Sequence, residues 1–160
     1  MTGIVDCHWL PVKDGDPRAF ALYRRHYTYR DYADNRRRDW SNPNRMLFVG
    51  PGEKMVLMTV NCDALFVWRK FISDDGQEGV NCAVFRNESD ILSSTLILEA
   101  EQHAARRWPG TRLYTYVKPS AIRSSNPGYC YLQAGWRKCG RSKRGLIILE
   151  KQPQPGQGGE

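Results

Sequence analysis

No window of about 18 apolar residues occurs in the 160-residue chain, which excludes a helical membrane span. The opening segment places Asp6 and His8 within a short apolar run, unlike a secretory signal peptide, and a cytoplasmic location is predicted. Five cysteines, Cys7, Cys62, Cys82, Cys130 and Cys139, are odd in number and form no C-x-x-C pair. That argues against a disulfide framework and a zinc site and predicts reduced, structural thiols. No second histidine lies near His26 in sequence, which lowers a metal-ligand role for it, and the sequence leaves a metal requirement open. Internal repeats are absent. Acidic residues are scarce beside basic ones, 17 against 24, and the net charge of +7 points to a polyanionic partner.

What is present is unevenly placed. Arg24, Arg25, Arg30, Arg36, Arg37 and Arg38 alternate with Tyr23, Tyr27, Tyr29, Tyr32 and Trp40. A second basic group comprises Arg137, Lys138, Arg141, Lys143 and Arg144. Arginine beside aromatic rings suits nucleic acid, since one side chain grips phosphate while the other stacks on bases. A solvated helix whose tyrosines pack inward would carry the same pattern.

Asp16 and Pro17 predict a helix start, with the helix running from Pro17 to Tyr27. Residues Asp31 to Asn44 read as irregular. The apolar, β-prone runs Met46 to Val49, Lys54 to Val60 and Ala64 to Phe71, broken by Gly50-Pro51-Gly52 and Asn61-Cys62-Asp63, predict an antiparallel meander. Gly79 to Phe85 supplies a further strand. Ile91 to Trp108 follows as a helix whose apolar face is Leu92, Leu96, Ala100, Ala104 and Trp108. A strand from Arg112 to Val117, a short helix from Pro127 to Gly135, a basic turn and a strand from Gly145 to Glu150 complete the order. The fold class is therefore α/β of the α+β kind, a mixed, mostly antiparallel sheet flanked by helices. Residues 1–150 form one domain, and 151–160, rich in Pro, Gly and Gln, read as a disordered tail.

This order resembles the GNAT acyltransferase fold, and N-P-G-Y-C-Y-L-Q-A-G-W at 126–136 is similar to that family's C-terminal helix with its Gly-aromatic end. H-Y-T-Y-R at 26–30, G-P-G-E-K-M-V-L at 50–57, A-L-F-V-W-R at 64–69, V-F-R-N-E at 84–88 and N-P-G-Y at 126–129 resemble the Mom-type phage proteins that modify adenine in DNA. The resemblance covers residues 20–150. It implies a transferase that converts adenine in DNA to N6-carbamoylmethyladenine, protecting phage DNA from restriction in the host cytoplasm. One feature departs from the pattern. The GNAT pyrophosphate loop carries glycines, whereas Arg86-Asn87-Glu88-Ser89-Asp90-Ile91 has none. Arg86, Ser93 and Ser94 could still bind phosphate at the helix start, with Asn126 lining the donor side. The donor is an acyl-CoA or an aminoacyl-tRNA carrying glycine, and the sequence leaves both open.

The target base must leave the duplex stack, at a cost of a few kcal/mol. Tyr27, Tyr29, Tyr129 and Tyr131 are candidates to stack on it or bond to it, and Arg30, Arg36, Arg37 and Arg38 to hold its backbone. His26 is the candidate for proton transfer, since imidazole as a class titrates near neutral pH and this one sits in a polar aromatic segment; a surface histidine is its plain alternative. Asn87 could orient a donor carbonyl or pair with an adenine edge, and could equally cap the loop before the helix. His103 reads as a packed core histidine, Cys130 as a packed thiol. Two rival readings are an acetyl-CoA-dependent N-acetyltransferase acting on a protein or small amine, and a non-catalytic DNA-binding protein.

Overall fold

The computed structural model describes residues 8–26, 47–50, 52–73, 75–119 and 128–153. Its strands are β1 (Trp9–Val12), β2 (Glu53–Thr59), β3 (Ala64–Lys70), β4 (Val80–Asn87), β5 (Leu113–Val117), β6 (Arg137–Arg141) and β7 (Ile147–Lys151). The helices are α1 (Pro17–Arg24), α2 (Ser93–Arg107) and α3 (Tyr129–Gln133). One seven-stranded sheet runs in the order β1-β2-β3-β4-β5-β7-β6. Every neighbouring pair is antiparallel except β4 and β5, which are parallel and joined through α2. The predicted class, a mixed and mostly antiparallel sheet with flanking helices, is the observed one.

The sheet is covered on both faces, and that explains why β3 is apolar throughout rather than alternating. Ala64, Phe66 and Trp68 face α2 and α3, where they meet Leu96, Ile97 and Ala100. Leu65 and Val67 face α1 and its Phe20, Leu22 and Tyr23. Small residues on α2 let indoles approach its backbone: Trp68 Nε1 donates to the Ala100 carbonyl at 2.9 Å and Trp9 Nε1 to the Leu96 carbonyl at 2.9 Å. Asp16 caps α1 as predicted, accepting from the amides of Arg18 (2.8 Å) and Ala19 (3.3 Å), with Pro17 in the first turn.

Several predicted bounds shift for identifiable reasons. Helix α1 stops at Arg24 because the Arg25 and His26 amides turn back to the Leu22 and Tyr23 carbonyls. The part of the predicted Met46–Val49 strand that is described is not a strand. The Asp14 carboxylate takes the Phe48 amide at 3.0 Å, and Phe48 stacks on Tyr23 with centroids 4.7 Å apart. Leu92 does not join the apolar stripe of α2; it sits at the N-cap, 70% exposed. Strands β1 and β6 were not expected. Of the predicted tail 151–160, Lys151 belongs to β7, Gln152 and Pro153 follow it exposed, and 154–160 lie outside the described residues.

Gly128, at the start of α3, has φ 81°, and a Cβ there would stand 2.6 Å from Leu149 Cδ1. Gly128→Ala therefore combines left-handed backbone strain with overpacking and should cost about 2–3 kcal/mol in urea unfolding. A loss below about 0.5 kcal/mol would show that α3 is not seated on β7 in this way.

Candidate functional site

The parallel pair β4/β5 is short. Its register covers Val80–Leu113, Asn81–Tyr114 and Cys82–Thr115, after which the strands part. The cause is on the other side of β4: its register with β3 slips between Val67 and Trp68, leaving Ala83 out of the ladder. Such a bulge bends the strand where it occurs. Strand β4 runs on to Asn87 and β5 to Val117 unpaired with each other, so the sheet is split between their carboxyl ends, a cleft in the ladder.

Polar groups close the apex of the cleft. Thr115 Oγ1 donates to the Cys82 carbonyl at 2.9 Å, and the Tyr131 hydroxyl lies 3.3 Å from Cys82 Sγ. Burial pushes the Cys82 thiol up to about 12 and raises the Tyr131 phenol and the Cys130 thiol as well. These groups stay protonated at neutral pH, and Cys130 is the packed thiol expected of it. Tyr131 is corrected as a base-stacking candidate. It is 7% exposed, with Trp136 and Phe85 at centroid distances of 5.0 and 6.3 Å.

Beyond β4 the chain makes a turn without glycine, and Asn87 is the reason it can. Asn87 Oδ1 accepts from the Ser89 amide (2.9 Å) and hydroxyl (2.6 Å), while Nδ2 donates to the Ile91 carbonyl (2.7 Å) and Ser93 Oγ (2.9 Å). All its hydrogen-bonding capacity is spent, so of the two readings of Asn87 the loop cap is the observed one. Ser93 is occupied with it. Ser94 is half-buried in the first turn of α2, whose N-terminus has no side-chain cap.

Arg86 and Arg25 share one carboxylate. Arg25 binds Glu88 through Nε (2.6 Å) and Nη2 (2.9 Å), and Arg86 Nε reaches Glu88 Oε2 at 3.0 Å. Hydrogen bonding by Arg25, then by Arg86, holds Glu88 below the usual carboxylate range. Two guanidiniums on one carboxylate leave one positive charge at the end of β4, and Asp90 is exposed two residues beyond Glu88. The contact also ties the end of α1 to the end of β4, and the next residue, His26, is 8% exposed. The chain then enters Tyr27, Tyr29, Arg30, Arg36, Arg37 and Arg38, which lie outside the described residues, as does Asn126. Tyr129 opens α3 and is 54% exposed.

The second cationic shoulder comes from β6 and β7. Ile147 pairs with Val117 on one side and Arg141 on the other, so the β6–β7 turn with Lys143 and Arg144 projects from the same sheet end as the cleft. Sequence reasoning found these cations but not their position, because the strand order alone brings them there. It also missed Thr115 at the apex and the Arg25–Glu88 contact across 63 positions.

On the opposite face, Asn81 and Tyr114 are ladder neighbours, and Asn81 Oδ1 and the Tyr114 hydroxyl are buried without hydrogen-bond partners. Nearby, Tyr116 donates to Asp75 Oδ1 at 2.6 Å and fastens the β3–β4 connection to β5. His103, expected in the core, is half-buried; its Nε2 makes no hydrogen bond and burial lowers its basicity. Among the described residues, no group of three His, Cys, Asp or Glu side chains is placed to hold a metal ion. No described helix is long and apolar enough to cross a membrane. The chain matches no protein-family model and no curated protein.

Proposed function

We propose that the protein is a transferase acting on adenine in DNA, building N6-carbamoylmethyladenine from an activated glycyl donor. The observation that carries this reading is the parting of β4 and β5 between two cationic shoulders. A single parallel pair within an otherwise antiparallel sheet, opening beyond Cys82 and Thr115, is what the resemblance to GNAT acyltransferases implies. The resemblance to Mom-type proteins supplies the substrate, and the surplus of 24 basic over 17 acidic residues suits a DNA partner.

The donor side favours an aminoacyl ester over a CoA thioester. A pyrophosphate cradle needs backbone amides brought close by glycine. Here the Asn87–Ser89–Ile91 bonds fix the turn without glycine, and Asp90 stands exposed beside it. The residues do not fit a bare pyrophosphate.

With a glycyl ester the atoms balance. Adenine N6 attacks the ester carbonyl, the bond to the ribose oxygen breaks, and the alcohol leaves with the proton taken from N6. The glycyl amine then attacks ring carbon 6, and the original N6 departs as the amide nitrogen of the product. No enzyme nucleophile is required, in keeping with the protonated thiols at the apex. Tyr129 is the exposed ring for the extruded base, while His26, the sequence candidate for the N6 proton, is buried at 8% exposure and would reach the base only after a local rearrangement.

The test is nucleoside mass spectrometry of host DNA after expression, with isotopically labelled glycine. Labelled carbamoylmethyl on adenine is expected. An unmodified adenine pool sinks the transferase reading, and label entering only from acetyl-CoA sinks the glycyl donor.

A further inference from the structure

We propose that the β6–β7 hairpin is a phosphate-gripping arm that seats duplex DNA across the carboxyl ends of β4 and β5; the inference rests on the DNA-modifying reading above. All five residues of β6 are exposed, Arg137, Lys138 and Arg141 among them, and Lys143 and Arg144 are exposed at the turn. The hairpin is nonetheless anchored, because Ile147, Ile148, Leu149 and Glu150 of β7 are buried. Its acidic residue, Glu150, is already held by Arg112 and Arg137. Among the described residues, no carboxylate pairs with Lys138, Arg141, Lys143 or Arg144.

Charge on β6 has a simpler use, since cations on an edge strand discourage pairing with another sheet. That accounts for Lys138 and Arg141. It does not account for Lys143 and Arg144, which lie beyond the ladder where there is no edge to guard. Residues 137–151 also contain no aromatic ring, so the hairpin cannot stack on bases in the manner of a single-strand binder. Its chemistry is that of backbone contact without sequence readout.

Position favours a duplex. From β4, where Arg25 and Arg86 meet at Glu88, to β6 is three strand spacings in the sheet order, and because β4 and β5 part beyond Cys82 the separation at this end is more than roughly 14 Å. The major groove of B-DNA is about 12 Å wide. The hairpin can therefore hold phosphates on one side of a groove, with the parted ends of β4 and β5 towards the bases.

The experiment compares two double variants of the full chain, each losing two cations. Lys143→Ala/Arg144→Ala removes the tip of the hairpin, and Arg106→Ala/Arg107→Ala removes exposed cations at the far end of α2. Affinity for a duplex of about 30 base pairs is followed by fluorescence anisotropy between about 50 and 200 mM salt. The hairpin variant should show a salt slope shallower by about 2 and an affinity lower by about tenfold, with an unchanged melting temperature; the control should keep the wild-type slope. Equal effects from the two variants, or none from the hairpin, overturn the proposal. So does a hairpin effect seen with transfer RNA and absent with the duplex. Hairpin-dependent duplex binding in a protein that leaves adenine unmodified would uphold the arm and remove the transferase reading.

Discussion

Trp68→Ala is expected to remove about 4 kcal/mol of stability, enough to leave a domain of ordinary stability close to unfolding. Trp68 is fully buried at the centre of the sheet face beneath α2, with Phe66 at a centroid distance of 4.6 Å and the Trp136 ring nearly parallel at 6.4 Å. Alanine leaves a cavity that a sheet and a helix on either side cannot close, and it withdraws the indole donor from the Ala100 carbonyl. Trp68→Phe keeps most of the apolar volume and should cost about 2 kcal/mol. Urea unfolding followed by far-UV circular dichroism separates the two, and an alanine loss below about 1 kcal/mol would contradict the packing.

Glu101→Ala should cost about 3 kcal/mol, for an electrostatic reason rather than a volume one. Glu101 joins three elements: it accepts from Trp136 Nε1 at 2.8 Å and pairs with Lys151 Nζ at 2.8 Å, while Lys151 also donates to the Ala134 carbonyl at 2.9 Å. Removing the carboxylate strands a largely buried ammonium and an indole N–H. Glu101→Gln retains an acceptor and should cost about 1 kcal/mol. The pH dependence follows from burial, which raises the Glu101 carboxyl despite Lys151 and Trp136. A carboxyl raised in the folded state holds its proton more tightly there than in the unfolded chain. Its contribution is complete below the unfolded value near pH 4 and is lost as pH rises through the folded one. The stability gap between wild type and Glu101→Gln should therefore narrow from about pH 4 to pH 7, and a gap that widens over that range would contradict the burial.

The parts of the fold that could be read from the chain are those whose sequence signal is packing. Strands β2, β3 and β4 and helix α2 bury long apolar runs or a stripe at helical spacing, and their bounds fell within two residues of those predicted. Strand β6 was read as a basic turn because R-K-C-G-R has no buried position, so nothing in its pattern records the pairing with β7. Strand β1 is four residues with a proline and is held by pairing to β2 across 40 intervening positions. The site divided along the same line. That polar groups gather where β4 hands over to α2 was legible from composition. That Asn87 spends itself on the turn, or that Tyr131 sits in the core, depends on contacts set by the third dimension.

The brevity of the β4/β5 register has a mechanical side. Three ladder partners join β1–β4 to β5–β7, whereas β3 and β4 share seven. Since local opening follows the thinnest hydrogen-bonded connection, the sheet should breathe along this seam, and its amides should exchange with solvent before those of β3. The two basic shoulders lie on opposite sides of that seam, so their separation is the dimension of the protein most free to vary. Slack of this kind would let the same cations follow a duplex as it distorts to release a base.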